Sequence, residues 1–483
     1  MKKKLISIAW ILVILLSSCS DVDEQRAYFT IEDSHTDLNF DLKGGTKTFT
    51  IKSNTDWKFV NTSGQTWATL SPMQGKGNAI VTLIVKESEI SGRSVVFDIV
   101  PNGAKRSQFV ITQGKGYEPD DENEFPIVAW TGINANESAA KFPLMKEAGI
   151  NIYLGWYDNL ATTLQVLDEA QKAGVKIIAS CPELKTNVEA TVKAMMDKPA
   201  LHSYYIGDEP EVSELKGLGA WVSQIKAIDN RHPSYVNLYP NWAWGGTSIY
   251  AMNVQECLNL IPVSYISFDH YPIVSIDGAP TIIRPEWYSN LEDISSAARA
   301  KGIPFWAFAL ALSHNLDSRH FYPIPTLAEL RLQVFSNLAY GAQGIQYFTY
   351  WGIFHDTPTI VYDRVKTVNQ DIRNLSSVFH KSSVISVWHT GKQLPLGTHP
   401  VSGLPSKIKS LSTSDGGAVV SLLEKGENRF LVVVNRDYNN PMTLNVQLDS
   451  SVKQVTKTGE IVAYIDGEKR VEAGDIVIFT WKK

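Results

Sequence analysis

The sequence predicts a multidomain chain: an N-terminal β-sandwich, a central (β/α)8 TIM barrel and a C-terminal β-sandwich. Three observations predict it. The 483 residues correspond to about three domains, at roughly 150 residues per domain. Short runs of β-branched and aromatic residues fill 28–113 and 385–483, whereas 125–380 alternates apolar strands with amphipathic helices. Hydrophobic residues make up 44% and charged residues 20%, the composition of a folded chain and not of a disordered one.

Residues 1–18 read as a leader. Lys2, Lys3 and Lys4 precede a nearly continuous apolar run over 5–16, which is too short for a membrane span and has the flanks of a secretory signal. Leu16-Ser17-Ser18-Cys19 resembles the bacterial lipobox, and the acidic 20–24 resembles the tether of surface-exported lipoproteins in Bacteroidetes. The resemblance implies lipidation at Cys19 and an outer-membrane anchor, on the cell surface or the periplasmic face. Cleavage before Cys19 removes three lysines and takes the formal charge from −5 to −8. An acidic chain with no basic cluster past its N-terminus is not a nucleic-acid binder.

Two further cysteines, Cys181 and Cys257, sit in apolar runs and are expected as buried free thiols. There is no CxxC, HExxH, EF-hand loop or GxxxxGK[ST], and GKGNAI, GKGYEP and GLGAWV each lack a third fingerprint glycine. His202, His270, His314, His320 and His355 show no ligand spacing. No cofactor and no metal are expected.

The first domain is read over 28–113. FTIKSNTDWKFV, AIVTLIVKE, SVVFDIV and SQFVITQ are strands separated by Gly, Asn and Ser clusters. The ordered string GGTKTFTIKSNTDWKF, WATLSP, SGRSVVFDIV and FVITQ resembles a BACON domain, a β-sandwich found at the N-terminus of glycan-degrading lipoproteins. Trp57 and Trp67 are expected in its core. That resemblance implies a spacer between membrane and barrel. GKGYEPDDENE over 114–124 is a polar linker.

From 125 to 380 eight strands are read: PIVAWTGI, NIYLGWY, VKIIASC, LHSYYIGDEP, SYVNLYPN, YISFDHYPI, PFWAFALALS and GIQYFTYW. Helical segments such as TTLQVLDEAQKAG and TLAELRLQVFSNLAYG separate them. Eight units in this length match a (β/α)8 barrel, and a doubly wound sheet lacks support because no Gly-rich first turn is present. AVVSLLEK, RFLVVVNRD, TLNVQLDS, IVAYIDG and DIVIFTW then form the third domain, expected to cover barrel surface.

Active sites of such barrels lie at the C-terminal ends of the strands. Here those ends carry Trp130, Trp156 with Asp158, Glu183, Asp208 with Glu209, Trp242, Asp269 with Tyr271, and Trp351. Aromatic faces stack on pyranose rings and carboxylates take their hydroxyls, so the pattern points to a sugar site. YYIGDEP resembles, by position, the acid/base motif of clan-A glycoside hydrolases, where Asn-Glu ends the fourth strand. FDHYP resembles the Asp-x-Tyr-Pro segment of the β-galactosidase branch. The resemblance implies a glycoside hydrolase acting on a glycan, with Glu209 as general acid; a monomer is expected. The resemblance also implies substrate contacts from Asp208, Tyr271 and Trp351, and the strand-end positions of Trp130, Trp156 and Trp242 lead to the same expectation for them.

One departure stands out. The clan places its nucleophile Glu on the seventh strand, where PFWAFALALSHN offers Ala309 and no acid. Asp269 is then the first choice for the second catalytic carboxylate, with Glu183 and Asp158 behind it. A retaining pair needs about 5–5.5 Å between carboxyls and an inverting pair about 6.5–9.5 Å. The same departure fits a second expectation, a barrel that no longer turns over and serves as a surface glycan-binding lipoprotein.

Overall fold

The computed structural model describes residues 27–32, 39–40, 43–61, 66–87, 93–104, 107–113, 124–464 and 467–483. The leader, Cys19 and the acidic stretch behind it lie outside the described residues, as does 114–123 of the linker.

Among the described residues the N-terminal domain is two sheets, one of four strands and one of five. Strict alternation builds it: in the strand Asp56–Asn61 only Trp57 and Phe59 turn inward, as half-buried strands require. They meet Phe49, Ile51, Val81, Leu83 and Phe97 in one core. Trp57 and Trp67 are both buried there, and the Trp57 indole N–H donates to the Gly77 carbonyl at 2.8 Å.

The central domain is a closed barrel of eight parallel strands: β1 Ile127–Trp130, β2 Ile152–Trp156, β3 Lys176–Ser180, β4 Leu201–Asp208, β5 Ser234–Leu238, β6 Ile266–Phe268, β7 Phe305–Leu310 and β8 Gly344–Phe348. β8 closes onto β1, with Val128 opposite Gln346. The chief helices are α1 Ser138–Glu147, α2 Leu160–Ala173, α3 Val188–Met195, α4 Leu215–Ile228, α5 Thr247–Leu260, α6 Trp287–Lys301, α7 Leu327–Ala339 and α8 Ile360–Asn374. Local chemistry sets their ends. Asn159 caps α2 by accepting from the Thr162 N–H at 2.9 Å, and Gly174 ends it in a left-handed conformation. Thr326 and Glu329 form a capping box on α7.

Strand residues divide by parity. Ile127, Ala129, Tyr153, Ile177, Ala307 and Ala309 join the core between barrel and helices. Val128, Trp130, Leu154, Ile178, Tyr235, Trp306 and Phe308 fill the lumen. Both faces are buried, so the strands read as unbroken apolar runs.

The C-terminal domain stacks a six-stranded sheet on a three-stranded one. Its strand Ala418–Lys425 is apolar on both faces for the same reason. Val419 and Leu423 join Phe430 and Val432 in the core that contains α7 and α8, while Val420 and Leu422 face the small sheet. A β-carbon at Gly474 would lie 2.1 Å from the Ala328 carbonyl of α7, so that turn sits directly on the barrel. Cys181 and Cys257 are buried and free.

Candidate active site

Residues 124–464 are described without a gap, so the cup at the C-terminal ends of the strands is seen whole. Alternation along β5 and β6 sends Tyr235, Asn237, Ser267 and Asp269 into it. Asn237 is level with Asp208 and with Ser267. β4 needs a correction of phase to join them. Its pairing with β5 slips between Tyr205 and Gly207, a bulge that leaves Ile206 unpaired and turns Asp208, not Gly207, toward Asn237. Glu209 follows with φ +47, a left-handed conformation that costs a non-glycine residue energy and marks a site where neighbours enforce it. Its N–H donates to the Asn237 carbonyl at 2.9 Å. Bulge and turn together let two successive acids enter one cup.

The acids share one amide. Asn237 Nδ2 donates to Asp208 Oδ1 and to Asp269 Oδ1, each at 3.0 Å. Asn237 Oδ1 accepts from Ser267 Oγ at 2.8 Å. Behind it lie Gln346 Nε2 on Ser267 at 2.8 Å, Tyr235 OH on Gln346 at 2.7 Å, and Trp130 Nε1 on Tyr235 at 3.1 Å. This buried network fixes the rotamer of Asn237 and hence both carboxyls.

Asp269 and Glu209 are hydrogen-bonded carboxyl to carboxyl. Glu209 is pushed up to about 7, first by burial and then by the charge of Asp208. Asp269 lies well above the carboxylate range because of burial and the two neighbouring acids. Asp208 reaches solvent at the mouth, yet the walls strip enough water to raise it, against the lowering bond from Asn237. Tyr271 hydrogen-bonds to Asp269 and stacks on Phe348, centroids 5.4 Å apart.

The tryptophans expected at the site divide. Trp156 is half exposed and stacks on Tyr205 at 5.7 Å, and Trp351 is equally open above Gly132. Trp130 is only 4% exposed and forms the floor beneath Trp156, Tyr205 and Phe308. One face of Trp242 is already covered by the Arg284 guanidinium, 4.6 Å away. Ala309 is fully buried between barrel and helices. The lumen side of β7 is Trp306, Phe308 and, at the top, Leu310, so no residue of β7 offers the cup an acid. Glu183 is engaged elsewhere, accepting the Leu160 N–H at 3.1 Å, and Asp158 stands exposed.

Sequence reasoning missed Asn237 and set His314 aside with the other histidines. Asn237 had one available signal, a polar residue at a lumen position of an apolar strand. His314, in the loop after β7, stacks on Tyr322 at 4.9 Å and meets Tyr271 edge-on at 6.1 Å. A cleft of about 1030 Å³ opens at the other end of the barrel near Pro126, Pro199, Tyr265 and Trp306, and among the described residues Glu124 is the only acid that lines it. It offers no carboxyl pair, so the chemistry belongs to the cup.

The fold defines a class: a closed (β/α)8 barrel flanked by strand-rich sheets. No family model and no curated protein matches the chain. Solved structures of similar fold include a GH5 xyloglucanase of Bacteroides ovatus in complex with a XXXG heptasaccharide, at 11% identity and TM-score 0.34, covering 71% of this chain and 99% of that one. Another is a family 39 glycoside hydrolase from Bacteroides cellulosilyticus WH2, at 10% identity and TM-score 0.38, covering 92% and 99%. A third is a Paenibacillus sp. cycloisomaltooligosaccharide glucanotransferase, at 9% identity and TM-score 0.44, covering 95% and 98%. These are remote likenesses of fold. The chemistry of this chain is read from its own residues.

Proposed function

We propose that this protein hydrolyses a glycosidic bond in a poly- or oligosaccharide, with Glu209 as proton donor. One observation carries the reading: Glu209 stands in an aromatic-walled cup, hydrogen-bonded to Asp269, where burial and the charge of Asp208 push it up to about 7. A general acid works best when its pKa lies near the working pH. Glu209 delivers its proton to the leaving oxygen as the bond to C1 breaks. Asp269, held by Asn237 and Tyr271, orients Glu209. Asp208 and Asn237 take sugar hydroxyls or their substituents, and Trp156 and Trp351 present open faces for stacking. Release of reducing sugar from a polysaccharide panel, lost in Glu209→Gln, tests the reading; full activity in that variant would remove Glu209 from its role.

A second reading rests on β7, whose lumen face of Trp306, Phe308 and Leu310 supplies no nucleophile. On it the protein binds surface glycans through Trp156 and Trp351 without cleaving them. Glycan binding with no product from any panel member would establish it. For either reading we propose a lipid anchor at Cys19 in the outer membrane, with the BACON-like first domain as spacer. A Cys19→Ala variant that stays in the membrane fraction would refute the anchor.

A further inference from the structure

Three acids of the cup stand together. Asp208 and Asp269 each sit 3.0 Å from the same nitrogen of Asn237, so their bonded oxygens lie within twice that length of each other. Glu209 touches Asp269 directly. Phe308, Phe348, Tyr271, His314 and Tyr322 pack ring on ring beside them, with Tyr271 bonded to Asp269. Among the described residues Asp269 is the one carboxyl recorded in hydrogen-bond contact with that wall.

This arrangement conflicts with both two-carboxylate routes. Retention through an enzyme nucleophile needs a second carboxyl about 5–5.5 Å from the acid, on the opposite face of the sugar ring. Inversion needs about 6.5–9.5 Å, with room for water between. A partner in hydrogen-bond contact with Glu209 satisfies neither. Outside those routes glycosides are cleaved with a tyrosine nucleophile, a nicotinamide cofactor or a nucleophile carried by the substrate itself. The phenol of Tyr271 is bonded to Asp269 and held well above its ordinary value by burial and the neighbouring acids. No dinucleotide fingerprint is present in the sequence. The route that these observations favour is the substrate's own nucleophile.

Resting on the reading of Glu209 as general acid, we infer that the substrate is a β-linked 2-acetamido-2-deoxyhexoside, whose own acetamido oxygen displaces the leaving group while Asp208 holds the acetamido N–H. Three observations fit the roles. Asp208 directly precedes the acid and is turned into the cup by the β4 bulge. Among the described residues it is bonded by a side chain through Oδ1 alone, which leaves capacity for an N–H donor. It also accepts the Asn237 amide N–H at 3.0 Å, a bond that favours its ionised form, and so can carry the negative charge that an oxazolinium needs opposite it, while Glu209 stays protonated.

The steps balance. The acetamido carbonyl oxygen forms a bond to C1 as the C1–O bond to the leaving group breaks, and the leaving oxygen takes the proton of Glu209. Asp208 hydrogen-bonds the N–H as positive charge grows on the ring formed. Glu209, now a carboxylate, then removes a proton from water as the water oxygen bonds to C1 and the C1–oxazoline oxygen bond breaks. The acetamide is restored, Glu209 is reprotonated, and one water is consumed. Participation requires the acetamido group trans to the leaving group, which in gluco and galacto sugars means the β-anomer, and the product keeps that configuration.

The test uses the full-length protein on matched glycans carrying either 2-acetamido or 2-hydroxyl sugars at the cleaved position, followed by proton NMR of the first-formed anomer. Cleavage confined to 2-acetamido sugars with a β product is expected, together with competitive inhibition by the 1,2-thiazoline of N-acetylglucosamine or N-acetylgalactosamine. Replacing N-acetyl by mono-, di- and trifluoroacetyl should lower kcat progressively, because each fluorine weakens the attacking oxygen. Asp208→Asn should lower kcat by about a hundredfold or more with little change in KM, and should weaken thiazoline binding measured by calorimetry. Equal cleavage of 2-hydroxyl sugars, an inverted product or a flat fluoroacetyl series would overturn this inference and leave Glu209 as general acid. No cleavage of any member would overturn both.

Discussion

Asn237 holds Asp269 through a 3.0 Å bond from its side-chain nitrogen to Oδ1, and the same nitrogen holds Asp208. One amide therefore sets the spacing and the charge of the acid cluster. Both bonds favour ionised carboxyls, and both act against burial.

Asn237→Ala should raise Asp208 and Asp269 further, because the lowering bonds vanish and the burial remains. The acid limb of the pH–rate profile then moves to higher pH and kcat/KM falls about a hundredfold or more, the scale on which a positioned donor counts. Ser267 Oγ also loses its acceptor, at a cost of about 1–3 kcal/mol for a buried group left unpaired. Urea unfolding and the pH profile, measured on one preparation, separate the two effects. An unmoved acid limb would detach Asn237 from the cluster.

Glu209 predicts the basic limb. Its proton is needed for the leaving oxygen and is lost above about pH 7, so kcat/KM should be present below that value and decline above it. The same raised pKa makes the native protein bind more protons than the unfolded chain between 4.5, the ordinary value, and about 7. Stability must therefore fall as pH rises through that window. Glu209→Gln removes the titration, so the variant's Tm advantage over wild type should grow from pH 4.5 to 7 and then level off. A constant Tm difference across that range would contradict the raised pKa.

Open and buried tryptophans should respond differently. Trp156 is 50% exposed and Trp351 48%, so Trp156→Ala and Trp351→Ala should raise KM for an oligosaccharide by about tenfold, roughly 1.4 kcal/mol, with small changes in Tm. Trp130, 4% exposed and donating to Tyr235, is structural floor. Trp130→Ala should cost about 3–5 kcal/mol and disturb the network behind Asn237. Circular dichroism melts beside binding isotherms distinguish these outcomes.

The barrel was legible because its signal is redundant: eight apolar strands, each followed by a periodic helix, leave few alternatives. The acid cluster was legible in part. Asp269 and Tyr271 follow plain period-two alternation from Ser267, and Glu209 carries a motif. What the sequence does not display is phase. Ala309 reads as the counterpart of a nucleophile along the chain, yet parity on β7 turns it to the helices and gives the cup Phe308 and Leu310. The β4 bulge that brings in Asp208 depends on how β5 pairs with it, which is a property of two strands and not of one. Asn237 was missed for a similar reason: a single amide in SYVNLYPN gains meaning only from the two carboxyls it meets.

Two glycines of α4 offer a sharp test of the packing between barrel helices. Gly217 and Gly219 lie two residues apart in Leu215–Ile228. A β-carbon at Gly217 meets nothing within 4 Å, whereas one at Gly219 would lie 2.1 Å from the carbonyl oxygen of Leu260, at the end of α5. Neither residue has a positive φ, so alanine fits the backbone at both. Gly217→Ala should stabilise the protein by about 0.5–1 kcal/mol, the helix-interior difference between the two residues. Gly219→Ala gains the same propensity but must push α5 away through a backbone atom that has no rotamer to yield. Overpacking of that kind costs about 1–3 kcal/mol or more, so the net change should be destabilising. α4 follows β4 and α5 follows β5, so that separation would also strain the register that sets Asp208 against Asn237. The two variants should therefore shift Tm in opposite directions, and Gly219→Ala alone should reduce kcat. Equal Tm shifts would show that α4 and α5 do not approach as closely as the Gly219 contact requires.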